Sequence, residues 1–378
     1  MATTAKKTTK KETEKSKDSK TTKAKIKTAS KSKAKTTSKA TVKKTTTKKK
    51  SKLAGMSLKS QATKKSKRET INIFFASTDN YIKYMDVAIT SLIENASKDY
   101  DYCITVLHNG LSEANIQKLK KHETSNVKIV FRDVEDELKN LREILPDAKI
   151  FSMATFYRLL IEVMYPKLDK VIYLDGDIIV LGDISKLYKT NLEGNLIAAA
   201  NEQMCFLNPF MTQYTIDVDG IDPHKFFNAG VMLMDLAAIR KFELKSKFES
   251  MLKNYNFKTP MNDQEYLNIL CRNRIKMLPN GWNKEWVEAC PLEGNLNIRH
   301  YALSVKPWKD NTVPDADLWW SYAKKSDFHD EILEAFNLVT PEVLQRDGME
   351  MGKVFALAEE LMKSDYTFKK LIIDVEDR

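Results

Sequence analysis

The order of apolar and polar residues changes near residue 70, where short apolar runs begin to alternate with patterns of helical period. The runs INIFFA (71–76), YCITVLH (102–108) and VKIVFRD (127–133) have the length and composition of buried strands. Apolar residues recur at helical spacing over 81–96, and Ser112 and Glu113 favour the start of a further helix. This alternation predicts an α/β fold with a mostly parallel sheet covered on both faces. Ligands of such sheets bind at the carboxyl ends of the strands.

The chain divides into three parts by composition and pattern. Residues 1–68 consist mainly of Lys, Thr, Ser and Ala, with 24 lysines and one arginine against three acidic residues. They contain too few large apolar residues to form a core, so we predict that this tail is disordered. Residues 69–310 carry the alternating pattern of the predicted α/β domain. Residues 311–378 are predicted to form a helical C-terminal extension.

Charge is distributed unevenly between these parts. The tail carries a formal charge of +22, so the rest of the chain carries −11 of the total of +11. The tail is either a solubilising tether or an electrostatic arm for an anionic partner, such as nucleic acid or a membrane surface. We find no apolar run of about 18 residues and no signal-peptide core, and we therefore expect a cytoplasmic protein, with peripheral membrane contact possible through the tail. The four widely spaced cysteines are expected to be reduced.

Two aspartates interrupt the apolar stretch DKVIYLDGDIIVLGDI (169–184). Asp175 and Asp177 follow KVIYL, which has the composition of a central strand, so they lie where a ligand binds in such a sheet. Two neighbouring carboxylates are costly to bury unless they face solvent, take up protons or bind a cation. Their hard oxygens suit Mg²⁺ or Mn²⁺, and Gly176 lets the backbone turn closely between them. A solvated polar strand end is the alternative interpretation.

Other segments resemble a known family. From Ile71 to about Leu333 the chain is similar to the retaining glycosyltransferases of family 8, which include bacterial lipopolysaccharide glucosyl- and galactosyltransferases and glycogenin. The segments that carry the resemblance occur in the family's order: FFASTDNYIKYMDVAITSL, MATFYRLLI, VIYLDGDIIV, FFNAGVMLMDL, NDQEYLN, HYALSVKPW and ADLWWSYAKKSDFHDEIL. The resemblance implies a GT-A fold, in which a Rossmann-like, mostly parallel sheet is flanked by helices.

The resemblance also implies a site for a nucleotide and a cation. The family's metal ligands correspond to Asp175, Asp177 and His300, which implies Mn²⁺ or Mg²⁺ as cofactor. Lys306 corresponds to a cation on the diphosphate, where it would help to neutralise the leaving UDP. The residues at the position of the family's nucleotide-binding loop are Ala76, Ser77, Thr78, Asp79, Asn80 and Tyr81.

Alternatives and departures accompany this nucleotide site. Asp79 is also placed to cap the helix that follows it. The chain differs from many relatives at Thr78, where they have an acidic residue, and at Leu303, where they often have glycine.

The donor sugar is implied to contact residues from three further segments. Arg158 would reach the donor phosphate or sugar, with an intramolecular salt bridge as the alternative. Asn228 and Gly230 are placed at the sugar hydroxyls, and Asp175 and Gly176 also belong to the donor site. Asp263 and Gln264 are implied to face the same pocket. For Asp263, helix capping is the alternative role.

The implied position of Gln264 beside the donor sugar also bears on how the reaction proceeds. An amide is a poor nucleophile, so we favour front-face substitution, in which the UDP oxygen helps to deprotonate the acceptor and Gln264 stabilises the sugar cation. A covalent enzyme intermediate is the other course.

The predicted function is therefore transfer of glucose or galactose from a UDP-sugar to a lipopolysaccharide, another glycan or a protein. Two other functions fit parts of the pattern. A phosphatase of the haloacid dehalogenase type also has a DxD after a strand, but its motif lies near the start of the domain. The non-enzymatic alternative is a protein that binds a polyanion or nucleic acid through its basic tail.

Overall fold

The computed structural model describes residues 68–145, 152–287 and 289–373. The predicted disordered tail lies outside these residues, apart from Arg68. Nine strands occur in the described part of the chain: β1 Thr70–Ala76, β2 Asp101–His108, β3 Val127–Asp133, β4 Lys170–Leu174, β5 Ile178–Val180, β6 Ile197–Asn201, β7 Phe227–Asp235, β8 Ile275–Leu278 and β9 Ile298–His300. The apolar runs that predicted the first four strands all form strands.

Seven of these strands form one sheet in the order β3-β2-β1-β4-β7-β6-β8, and β5 pairs with β9 in a second, two-stranded sheet. In the large sheet, β3, β2, β1 and β4 are parallel neighbours. Strand β7 is antiparallel to β4 and to β6 on its other side, and β6 is parallel to β8. The sheet is thus mixed but mostly parallel, as the alternating pattern predicted.

Helices cover both faces of the large sheet. In β1, Ile73 and Phe75 belong to one buried apolar cluster, whereas Phe74, which points the other way, belongs to a second cluster. The helices of the described residues are α1 Ile82–Asn95, α2 Glu113–Lys120, α3 Glu135–Arg142, α4 Ile161–Met164, α5 Ile184–Tyr188, α6 Gln203–Leu207, α7 Pro209–Tyr214, α8 Leu236–Phe242, α9 Leu244–Asn254, α10 Asp263–Leu270, α11 Ala316–Ala323, α12 His329–Asn337 and α13 Pro341–Met362.

The segment MATFYRLLI forms two kinds of helix in succession. Met153–Leu160 forms a 3₁₀ helix, which the Ser152 side chain caps at Ala154 N, and only Ile161–Met164 continues as α4. Residues three apart lie nearly above each other in a 3₁₀ helix, so Thr155 and Arg158 share one side, and Arg158 Nε donates to Thr155 O at 2.8 Å.

The part of the chain after residue 311 is largely helical, as predicted for the C-terminal extension. Helix α11 contacts α1, and the long helix α13 contacts α7 and the π-helical turn Thr215–Asp219. The boundaries 69–310 and 311–378 stay predictions. None of the helices in the described ranges combines the length and the apolar character that a membrane span requires.

Candidate active site

A cavity of about 380 Å³ opens at the carboxyl ends of β1 and β4. Small residues after β1 form one side, and the turn after β4 forms another. The structure brings most of the sequence-predicted site residues together in the lining of this cavity: Ala76, Ser77, Thr78, Tyr81, Arg158, Asp175, Gly176, Asp177, Asn228, Asp263, Gln264, His300 and Lys306.

Two predicted residues lie elsewhere. Asp79 and Asn80 line a separate surface depression together with Asn115. The Asp79 carboxylate accepts hydrogen bonds from Ser112 N at 2.8 Å and Asn115 Nδ2 at 2.8 Å, so it ties the loop after β1 to the start of α2. Asp79 does not cap α1, because that helix has no side-chain cap.

Gly230 also lies outside the cavity lining, but directly beneath it. A Cβ atom on Gly230 would lie 2.5 Å from His300 Cε1 and 2.7 Å from Asp175 Oδ2. The Gly230 carbonyl accepts a hydrogen bond from Asp175 N at 2.7 Å. The residue therefore has to be glycine for Asp175 and His300 to approach each other over β7.

Asp175, Asp177 and His300 form a group whose ligand atoms all lie within 4.8 Å of one another. The two aspartates lie in the turn between β4 and β5, and the β5–β9 pairing sets Ile178 opposite His300. Tyr301 N donates to Asp177 O at 2.9 Å, which fixes this register at the aspartate itself. The small two-stranded sheet thus brings His300 to the two carboxylates.

A chain of amides sets the orientation of the His300 ring. Asn228 Oδ1 accepts from Gly230 N and from Asn283 Nδ2, at 2.8 and 2.9 Å. The Asn283 amide therefore presents its oxygen to His300 Nδ1, 2.8 Å away, and Nδ1 donates the hydrogen. The lone pair of Nε2 then faces Asp177 Oδ1 at 3.2 Å. Two carboxylates and one imidazole lone pair, with an amide behind the imidazole, fit a divalent cation.

Two neighbouring side chains keep Asp177 ionised. Burial alone would raise its pKa, but Lys306 and His300 hold the pKa of Asp177 well below its usual range. The Lys306 ammonium pairs with Asp177 Oδ2 and donates to Tyr301 O at 2.6 Å. Leu303, between His300 and Lys306, has a φ of 57°, in the left-handed region that favours glycine. A glycine at this position, which the resemblance implies for relatives, would adopt this backbone conformation without strain.

Arg158 is buried beside two acidic groups. Its Nε lies 2.8 Å from Asp263 Oδ2, and its Nη1 lies 3.5 Å from Asp175 Oδ1 and donates to Ala229 O at 2.5 Å. The effect of burial on Asp263 is larger than the opposite effect of the Arg158 charge, so the pKa of Asp263 is raised to about 6. The intramolecular salt bridge considered for Arg158 is therefore present, and it connects a metal-ligand candidate to Asp263. Asp263 is the first residue of α10 and does not cap it.

Gln264 is held by contacts at both ends of its amide. Its Oε1 accepts from Ala229 N at 2.9 Å, and its Nε2 donates to Glu202 Oε2 at 3.1 Å. Asn228 Nδ2 donates to the same Glu202 oxygen at 2.7 Å and approaches Glu285 Oε1 at 3.3 Å. Glu202 lines the cavity, so the two predicted sugar-site amides share an acidic neighbour.

Sequence reasoning missed Glu202, Glu285, Asn283 and Tyr173. Glu202 follows the apolar strand β6 as Asp175 follows β4, and this strand-end position was a usable signal. Tyr173, whose hydroxyl donates to Asp175 Oδ1 at 3.0 Å, looks like an ordinary strand residue in the sequence. Glu285 and Asn283 lie in an irregular segment with no pattern to mark them.

The sheet, the cavity at its carboxyl edge and the Asp-Asp-His group define a glycosyltransferase of the GT-A fold. Residues 72–312 match the model of glycosyl transferase family 8, which is more than half of the 378-residue chain, and the chain belongs to that family.

Named relatives agree with this assignment. A lipopolysaccharide 1,2-glucosyltransferase of Escherichia coli strain K12 is 26% identical over 261 residues, covering 64% of this chain and 73% of the relative. Glycosyltransferase GlyB of Streptococcus pneumoniae is 29% identical over 276 residues, covering 67% of this chain and 61% of the relative. The solved structure of galactosyltransferase LgtC, crystallised with donor and acceptor sugar analogues, is similar in fold, with a TM-score of 0.55 and 23% identity over 68% of this chain and 96% of that one.

These findings confirm the predicted family, fold class and enzyme class. They exclude the two alternative functions, a phosphatase and a purely non-enzymatic binding protein, because the folded part is a glycosyltransferase domain. Binding of an anionic partner through the tail stays a prediction.

Proposed function

We propose that this protein is a retaining glycosyltransferase that transfers glucose or galactose from a UDP-sugar with the help of Mn²⁺ or Mg²⁺. The main support is the Asp175, Asp177 and His300 group, which lies in the same cavity as Arg158, Gln264 and Lys306. Asp175, Asp177 and His300 would hold the cation. When bound, the cation supplies positive charge that balances the diphosphate of the leaving group.

The donor would extend across the cavity from β1 towards β7. Ala76, Ser77 and Thr78, with Tyr81, offer small side chains and hydrogen-bonding groups to the uracil and ribose. Lys306, which already lies against Asp177, would turn its ammonium to the diphosphate. At the far end, Asn228 and Asp263 would contact the sugar hydroxyls, and Arg158 would hold Asp175 and Asp263 in place.

The reaction would proceed on one face of the sugar. The bond between the anomeric carbon and the UDP oxygen breaks, and the acceptor oxygen forms a bond to the same carbon from the same side. The acceptor proton passes to the departing diphosphate oxygen, so that atoms and charges balance. Gln264 Oε1, fixed by Ala229 N, would stabilise the positive charge that develops on the sugar.

The acceptor is proposed only by class. The named relatives act as a lipopolysaccharide glucosyltransferase and a galactosyltransferase, and GlyB is named only as a glycosyltransferase. The alignment spans less than two thirds of the length of GlyB. A lipopolysaccharide, another glycan or a protein would therefore supply the attacking hydroxyl of this chain.

Hydrolysis of UDP-sugars tests the donor half of the function without an acceptor. Full-length protein is incubated with UDP-glucose, UDP-galactose, UDP-N-acetylglucosamine or UDP-xylose, with Mn²⁺, Mg²⁺ or EDTA, and released UDP is measured. We expect cation-dependent hydrolysis of UDP-glucose or UDP-galactose that EDTA abolishes. Absence of hydrolysis with all four donors and both cations would refute the proposed function.

A further inference from the structure

One wall of the catalytic cavity is apolar and is not used by the donor site. In contrast to the triad of Asp175, Asp177 and His300, this wall consists of thioethers, an aliphatic side chain and one aromatic ring: Met204, Met211, Met261, Met351, Val354 and Phe355. Four methionines in this lining give a surface that is apolar and also adaptable in shape.

Three separate segments build this wall. Met204 and Met211 come from α6 and α7, Met261 comes from the loop before α10, and the remaining three come from α13. Helix α13 lies outside residues 72–312, which match the family model. The α13 contribution therefore comes from a part of the chain that the family model does not cover.

Packing holds α13 in position over the cavity. Ala358 is fully buried and Leu361 is nearly so, and both belong to one apolar cluster with Met211, Tyr214 and Val218. Phe355 packs against this cluster, and its ring lies 5.7 Å from that of Phe210. The wall is thus a fixed part of the cavity.

Gln264 marks where the wall meets the polar half of the cavity. Its amide Nε2 lies 3.8 Å from Met261 Sδ and 3.1 Å from Glu202 Oε2. A sugar hydroxyl placed against the methionines would find no hydrogen-bond partner there, which is unfavourable for a buried polar group. The wall is therefore suited to an apolar group that lies next to the transferred sugar.

We infer that the acceptor carries an apolar aglycone, an alkyl or aryl group close to its attacking hydroxyl, and that this group binds against Met351, Phe355 and Met261. This inference rests on the proposed function, because it places the acceptor beside the donor sugar at Gln264. Helix α13 then determines acceptor specificity, whereas the triad and Lys306 serve the donor.

Binding of matched glycosides tests the inference. The probes are octyl and methyl β-glucoside and the same pair of galactosides, titrated below the critical micelle concentration into full-length protein with UDP and Mn²⁺. We expect the octyl glycoside to bind at least about 10-fold more tightly than its methyl partner, as a well-filled apolar pocket provides.

Two substitutions on the same helix locate the binding. Met351→Gln makes the wall polar with little change in side-chain length, and Met349→Gln changes a residue two positions away that is 58% exposed. Met351→Gln should reduce the octyl preference by about 10-fold, and Met349→Gln should leave it unchanged. Equal binding of octyl and methyl glycosides would overturn the inference, and so would an equal loss in both variants.

UDP-sugar hydrolysis in the same preparations separates this inference from the proposed function. Hydrolysis without an octyl preference means that only the acceptor assignment is wrong. Loss of hydrolysis with every donor means that the proposed function fails, and the acceptor assignment fails with it. Thermal unfolding of each variant shows whether it is folded.

Discussion

Two groups of acidic side chains lie on either side of Asn228, and one carboxyl group in each has a pKa shifted in the opposite direction from the other. Asp175 and Asp177 face His300, with Lys306 and Arg158 beside them. Glu202 and Glu285 lie behind Asn228 Nδ2, buried at 7% and 1% exposure. Burial raises the pKa of Glu285 well above its usual range, and the neighbouring Glu202 raises it further. The pKa of Asp177, in contrast, is held low.

The difference shows that the same fold keeps one carboxyl group charged and another protonated, depending on the neighbouring residues. Near Lys306 and His300, a carboxylate stays charged and is available to a cation. At the second group, burial and the neighbouring Glu202 outweigh the charge of Lys284, so Glu285 keeps a proton and the pair acts as a hydrogen-bonding unit that orients Asn228 and Gln264. Replacing a carboxyl group by an amide should therefore have very different effects at the two places.

The largest effect is expected for Asp177→Asn. The change removes one negative ligand from the cation site, and UDP-sugar hydrolysis should fall by at least about 100-fold. The rise in melting temperature that UDP with Mn²⁺ produces in the wild type should largely disappear. Hydrolysis and differential scanning fluorimetry measure the two effects, and a melting shift equal to that of the wild type would exclude Asp177 as a ligand.

Lys306→Ala should have the next largest effect. The ammonium neutralises charge that develops on the diphosphate as the sugar leaves, so kcat should fall by roughly 10- to 100-fold. The KM for the UDP-sugar should change much less, because the sugar and uracil contacts stay intact. Steady-state hydrolysis gives both constants, and a kcat within twofold of the wild type would remove Lys306 from the reaction.

Much of this arrangement was predictable because strand ends in an α/β fold are local features of the sequence. The apolar runs predicted β1 to β4, and the position of Asp175 and Asp177 after β4 predicted that they lie together where a ligand binds in such a sheet. The resemblance to the family assigned Ala76 and Ser77 to the nucleotide site, and both line the cavity. These features depend on a few neighbouring residues.

The parts that were not predictable depend on pairing between distant segments. The antiparallel insertion of β7 between β4 and β6 puts Gly230 beneath His300, and no local pattern encodes that order of strands. Glu285 is 83 positions from Glu202 in the sequence. It lies in an irregular segment whose apolar residues follow neither a helical nor a strand spacing. The 3₁₀ geometry around Arg158 depends on tertiary contacts with Ala229 and Asp263. Tertiary packing overrides helix propensity there.

Glu285→Gln tests the second acidic group and should have a small effect. Burial keeps a proton on Glu285, and an amide N–H can replace that O–H as a donor to Glu202. The rate of UDP-sugar hydrolysis at neutral pH should fall by less than about fivefold in Glu285→Gln. The rate should fall further in Glu285→Ala, because that change leaves Glu202 and Asn228 without this partner. A loss in Glu285→Gln as large as that in Asp177→Asn would mean that Glu285 acts as a charged group.

The smallest effect on activity is expected at a further buried pair of acidic residues, Asp219 and Glu265. Burial raises the pKa of Glu265 to about 8, against hydrogen bonds from Tyr214 Oη and Met261 N. Burial, and then the nearby Glu265, raises the pKa of Asp219 well above its usual range. Neither carboxyl oxygen of Asp219 has a hydrogen-bond partner among the described residues.

The pH dependence of stability tests this pair through Asp219→Asn. Above pH 3.8 the unfolded chain loses the Asp219 proton while the folded protein keeps it, so the wild type loses stability as the pH rises towards its raised folded-state pKa. The asparagine variant lacks this loss, so its stability relative to the wild type should increase as the pH rises above 3.8. Melting temperatures at each pH measure the gain, with Asp217→Asn on the same turn as control. Parallel pH profiles for the wild type and Asp219→Asn would show that Asp219 is ionised in the folded protein, and the contrast with Asp177 would then not extend to this pair.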